Sequence, residues 1–74
     1  MNKEIIRVKW DEMKDNIMHH WDKFTDDEIS EMEGSYEELV RKLQKSYGYN
    51  QEKAETEINN FLRKNNYYDY YENE

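Results

Sequence analysis

Cysteine and proline are both absent from these 74 residues, and glycine occurs only twice. Without cysteine there is no disulfide, no thiolate nucleophile and no cysteine-based zinc site. Without proline, one common cause of helix kinks is removed and no position lacks a backbone N–H. The chain also lacks the apolar leader of a secreted protein and the run of about 20 apolar residues that a membrane span needs. The expectation is therefore a cytoplasmic protein with no membrane association. Basic clusters are missing as well. The net charge is −7, with the acidic excess at residues 25–34 and 65–74. Duplex nucleic acid and anionic lipid should be repelled by those two stretches.

What is present is helical patterning around one stretch, Trp21 to Gly34. Thr25 and Glu28 have the spacing of a capping box, in which the threonine oxygen accepts a first-turn amide and the glutamate reaches back. Asp26, Asp27 and Glu28 then fill the turn where the helix dipole favours negative charge. Gly34 is placed to close this helix in the left-handed conformation after about two turns. Ser35 and Glu38 repeat the box and open the next helix.

Before the turn, Ile6, Trp10, Met13, Ile17, Trp21 and Phe24 recur at three- and four-residue spacing and predict the inner face of one first helix. Ile5 and Val8 fall off that stripe, and residues 1–7 are expected as a loose N-terminal segment. In the second helix Ile29 is the core residue. In the third, Tyr36, Leu39, Val40, Leu43 and Tyr47 form the apolar face, with Glu37–Arg41 and Glu38–Lys42 as surface pairs four apart. Gly48 stops that helix, Asn50 caps the fourth, and Ala54, Ile58, Phe61 and Leu62 line its inner side through about Lys64. Tyr49 is placed to pack on Ala54 or Tyr47. The predicted architecture is all-α: four short helices forming two crossed hairpins over residues 8–65, with residues 66–74 an acidic, tyrosine-rich tail.

Chemistry-bearing groups are few. His19 and His20 are adjacent, so on a helix they diverge and cannot chelate one ion. Asp22, Asp26, Asp27 and Glu33 span a calcium-loop length, but the positions that should be an oxygen ligand and glycine are Phe24 and Asp27. Trp10, Trp21 and Phe24 read as core rather than as a stacking platform for bases, because no basic groove accompanies them. No nucleophile stands beside a histidine in a recognisable motif, and no glycine loop grips phosphate. No catalytic, metal or cofactor residues are therefore assigned, and no cofactor is expected. The stretch after Lys64 has no apolar period and is expected to fray; within it Tyr67, Tyr68, Tyr70 and Tyr71 are the candidate docking residues, since four aromatics among acids exceed what solubility requires, and the alternatives to disorder are that they meet a protein partner or fold back over the domain edge. A monomer is expected, with nucleic acid disfavoured as a partner.

Several of these residues together resemble the CsbD-like family of small bacterial stress-response proteins. The resemblance covers about Trp10 to Lys64. It rests on Trp10 and Trp21, Lys23-Phe24-Thr25-Asp26-Asp27-Glu28, Glu33-Gly34, Leu39-Val40-Arg41-Lys42-Leu43-Gln44, and Tyr47-Gly48-Tyr49 leading into Glu52-Lys53-Ala54-Glu55. It implies a domain of crossed hairpins of the sterile-alpha-motif-like type, raised in level by a bacterial general stress response, with no established biochemical activity. Family members carry glycine and lysine through the first helix where this chain has Asp15, Asn16 and Asp22. That departure counts against a basic first helix contacting nucleic acid.

Overall fold

The computed structural model describes residues 2–67. They form five helices and, among themselves, no strand: α1 (Asn2–Val8), α2 (Trp10–His20), α3 (Asp26–Met32), α4 (Tyr36–Tyr47) and α5 (Gln51–Lys64). The expected count of four is corrected to five because the first helix is two. Lys9 sits between them at φ −103° and ψ 17°, near the bridge region, with no side-chain cap. The backbone still spans the bend: the Lys9 amide donates to the Ile5 carbonyl at 2.9 Å, and the Met13 amide donates to the Lys9 carbonyl at 3.0 Å.

No proline drives this bend; packing explains it. An unbroken helix carrying Trp10, Met13 and Ile17 inward would leave Ile5 off the apolar stripe. With the axis turned at Lys9, Ile5 and Ile6 are both buried, at 0% and 1% exposure, while Val8 is 62% exposed. The segment expected to be loose is therefore helical from Asn2, and its two isoleucines share the core with the rest of the chain. Burying an isoleucine is worth about 2 kcal/mol, enough to offset a modest backbone distortion.

The central turn follows its sequence signals closely. The Thr25 hydroxyl accepts from the Glu28 amide at 3.1 Å, and the Thr25 amide donates to the Glu28 carboxylate at 2.9 Å, completing the capping box. Changing Thr25 to Ala is expected to lower stability by about 1 kcal/mol in a denaturant melt. The helix so started runs seven residues. Its closing residue is a correction: Glu33, at φ 51°, is the left-handed C-cap, and Gly34 follows at φ 76°. Two successive left-handed residues reverse the chain sharply. The second must be glycine for a further reason, which is its place against α1 and α2. A Cβ on Gly34 would stand 3.2 Å from Arg7 Cα and 3.3 Å from Trp10 Cβ.

Ser35 caps α4 with only half of the expected box. Its hydroxyl accepts from the Glu38 amide at 3.2 Å, but its own amide donates to the Met32 carbonyl at 2.9 Å. The Glu38 carboxylate is taken up by Arg41. Glu37, expected to pair with Arg41, instead meets Lys3 of α1 at 2.9 Å. Both pairs are solvent-exposed and add little to stability. Gly48, at φ 71°, ends α4, and the Asn50 side chain accepts from the Lys53 amide at 2.7 Å to begin α5.

One core joins all five helices. α4 packs on α5, α2 on α3, and α1 against both α2 and α4. Trp10, Met13, Ile17, Trp21, Phe24, Ile29, Leu39, Val40, Leu43, Ile58 and Phe61 are buried. Tyr47 is half-buried and packs on their edge. Ile5, Ile6, Met32, Tyr36, Ala54 and Leu62 complete the interior.

Candidate functional site

The two histidines lie where the last turn of α2 meets the last turn of α5. The apolar spacing of α2 turns Ile17 and Trp21 inward, and this sets Asn16 and His19 on the exposed side with His20 at the boundary. In α5 the same logic buries Phe61 and leaves Lys64 exposed. Asn16, His19, His20, Lys64 and Asn65 line an open cleft of about 430 Å³. The two histidines diverge as helical geometry requires. His19 Nδ1 lies 2.9 Å from the Asp15 carbonyl, whereas the His20 ring stands edge-on to Trp21 at 4.6 Å and to Phe61 at 5.2 Å. Partial burial holds the His20 pKa below the ordinary histidine value, and the positive charge of Lys64 adds to this while Glu57 opposes it.

Of the four tyrosines singled out, Tyr67 is folded back on the domain against Asn16 and Phe61. Its hydroxyl accepts from Asn16 Nδ2 at 2.8 Å, and its ring lies 6.0 Å from Phe61. Tyr68, Tyr70 and Tyr71 lie outside the described residues.

Of the two contacts expected for Tyr49, the structure shows the one with Tyr47, and it adds two lysines that the sequence does not place there. Tyr47 and Tyr49 stack at 5.5 Å across the glycine turn that joins α4 to α5. Lys23 stands over the Tyr47 ring at 5.0 Å and Lys53 over the Tyr49 ring at 5.5 Å, so the two aromatics are bracketed by cations. The Tyr47 hydroxyl also accepts from the Lys23 amide at 3.2 Å, tying the α2–α3 connection to the end of α4. The spacing Tyr-Gly-Tyr was the available signal, since one residue in the left-handed region lets its neighbours face one another. Two further open clefts are lined by mixed charge. One, of about 250 Å³, holds Lys3, Glu37, Arg41 and Glu55; the other, of about 400 Å³, holds Arg7, Asp11, Lys14 and Glu33. The Lys3–Glu37 hydrogen bond, and after it the attraction of their opposite charges, raises the lysine pKa and lowers the glutamate pKa.

Asp22, Asp26, Asp27 and Glu33 are all exposed. Among the described residues no three His, Asp or Glu side chains converge closely enough to hold a metal ion.

Against known proteins the chain is similar to the UPF0337 protein YjbJ of Salmonella typhimurium, with 37% identity over 67 residues, covering 90% of this chain and 96% of that protein. It is 39% identical over 61 residues to the UPF0337 protein PA4738 of Pseudomonas aeruginosa, covering 82% and 94%. The UPF0337 protein pc0632 of Protochlamydia amoebophila is 39% identical over 64 residues, covering 86% and 97%. No family model matches the chain, and no solved structure does so.

Proposed function

The chain belongs to the UPF0337, or CsbD-like, family, and from that premise we propose that it is a small, acidic, non-enzymatic protein of the bacterial general stress response that acts by contact. The observation that carries this reading is the division of the molecule between inside and outside. The buried side chains are hydrophobic ones, and the charged groups of the described residues lie at the surface. The whole interior is thus spent on holding five short helices together, and what the protein offers to others is its acidic exterior. The names of the relatives specify no reaction.

On this proposal α2 with α3 and α4 with α5 form two crossed hairpins, and α1 is bent back across them. On the same reading residues 66–74 are an acidic tail in which Tyr68, Tyr70 and Tyr71 serve a protein partner, Tyr67 being engaged by Asn16 and Phe61, and the protein is a cytoplasmic monomer. None of the described helices is long and apolar enough to cross a membrane.

The bracketed pair Tyr47 and Tyr49 favours a second reading, a module that stacks on single-stranded nucleic acid. Net charge opposes it. A low-salt mobility-shift assay with single-stranded and duplex oligonucleotides separates the two. The first reading expects no shift at micromolar protein. Sequence-independent binding that Tyr47→Ala or Tyr49→Ala weakens would replace it with the second. The stress role itself is tested by immunoblotting the protein across a panel of growth stresses; an invariant level would defeat it.

A further inference from the structure

We propose that the cleft where α1, α2 and α3 meet binds a small zwitterion, a free α-amino acid, between Arg7 and Glu33, its carboxylate accepting from the Trp10 indole N–H. The first observation is an orphaned donor. Trp10 is only 6% exposed and borders this cleft of about 400 Å³, and its Nε1 has no hydrogen-bond partner among the described residues. A buried donor left in that state costs free energy that an acceptor recovers. The nitrogen itself has almost no exposed surface, so an acceptor reaches it through a side-chain rotation at the cleft wall, where Arg7 and Glu33 are long and exposed.

The second observation is a pair of opposite charges that do not meet. Arg7, in the last turn of α1, and Glu33, the C-cap of α3, both line the cleft, yet neither forms an ion pair among the described residues. The other two charges in its wall, Asp11 and Lys14, pair with each other at 3.5 Å. One cation and one carboxylate are left over. A simple anion would satisfy Arg7 and be repelled by Glu33, and a simple cation would meet the reverse. A zwitterion satisfies both.

The donors and acceptors fix which way round the ligand lies. Guanidinium and indole N–H only donate, so the carboxylate belongs to Arg7 and Trp10. α2 begins at this cleft with no side-chain cap, and the positive end of its dipole favours the same negative group. The ammonium is then left for the Glu33 carboxylate and the Ser30 hydroxyl, both of which accept. A primary ammonium has N–H groups for both, and a fully methylated one has none. Val8, which also lines the cleft, is 62% exposed and offers apolar contact to a short aliphatic side chain. Such binding is independent of the stress role.

Heteronuclear NMR of the full chain titrated with L-alanine tests this, read at the Trp10 indole N–H with the Trp21 indole as internal control. The Trp10 signal is expected to move and to saturate with a Kd of about 1 mM, while that of Trp21 stays in place. Acetate and ethylammonium each carry half of the charge pattern and should bind at least about tenfold more weakly. Arg7→Gln and Glu33→Gln should each weaken alanine binding about tenfold, with circular dichroism confirming the fold. The proposal is overturned if alanine leaves the Trp10 signal in place or moves it without saturation, if acetate or ethylammonium alone binds as well as alanine, or if either folded variant binds alanine as tightly as the parent.

Discussion

Gly34→Ala is expected to cost the fold about 3 kcal/mol, and the reason is tertiary rather than local. Two penalties coincide at this position. A side chain at φ 76° lies in the left-handed region, which costs about 1–2 kcal/mol. The new methyl would also stand 3.2 Å from Arg7 Cα and 3.4 Å from the Arg7 carbonyl oxygen, and backbone of a packed helix cannot swing aside as a lysine tip could. Overpacking of that kind costs about 1–3 kcal/mol. Gly48 provides the control. It has a similar φ of 71°, but a Cβ there would meet nothing within 4 Å. Gly48→Ala should therefore pay the conformational part alone, about 1 kcal/mol. Urea melts of both variants check this. Equal losses would mean that Gly34 is needed only for its turn and that the bend at Lys9 does not rest on it.

Ile5→Ala should be about as damaging, at 2–4 kcal/mol, although nothing in its neighbourhood of sequence marks it as core. Ile5 has no exposed surface, and α1 packs against both α2 and α4. Truncation leaves a cavity between three helices that the short α1 can fill only by shifting as a whole. For a 74-residue chain the total stability is on the order of 4–11 kcal/mol, so the loss would be read easily as an earlier melt. Val8→Ala is the matched comparison: Val8 is 62% exposed and should change stability by less than about 0.5 kcal/mol. A parent and Ile5→Ala that melt together would show residues 2–8 to be detached from the core.

Much of the central turn could be read directly. A threonine three residues before a glutamate, followed by acids, has one inexpensive use, and the structure puts it to that use. The surface pairs were less legible. Glu37 had Arg41 four residues on, yet its partner is Lys3, because α1 crosses α4 at that point and brings a cation from a distant part of the chain. Tyr67, among the candidate docking tyrosines, is a further case. Tyr67 is engaged by Asn16, 51 residues earlier, a contact that no local spacing encodes. The divergence of His19 and His20 follows from adjacency on a helix, but the Phe61 ring beside His20 and the charge of Lys64 come from α5, and the His20 pKa is lowered by burial first and by Lys64 second.

The residue order alone determined where helices begin and end at Thr25, Ser35, Gly48 and Asn50, since capping involves groups three or four residues apart whose energies need no other part of the molecule. It also determined which faces turn inward on α2, α4 and α5, because a 3.6-residue period acts within one segment. Only the tertiary structure decided that the first helix bends at Lys9, that Ile5 joins the core, and that Glu33 rather than Gly34 caps α3. Each of those depends on how closely α1 and α2 can approach the turn at Gly34, and that distance is a property of packed surfaces rather than of any stretch of chain.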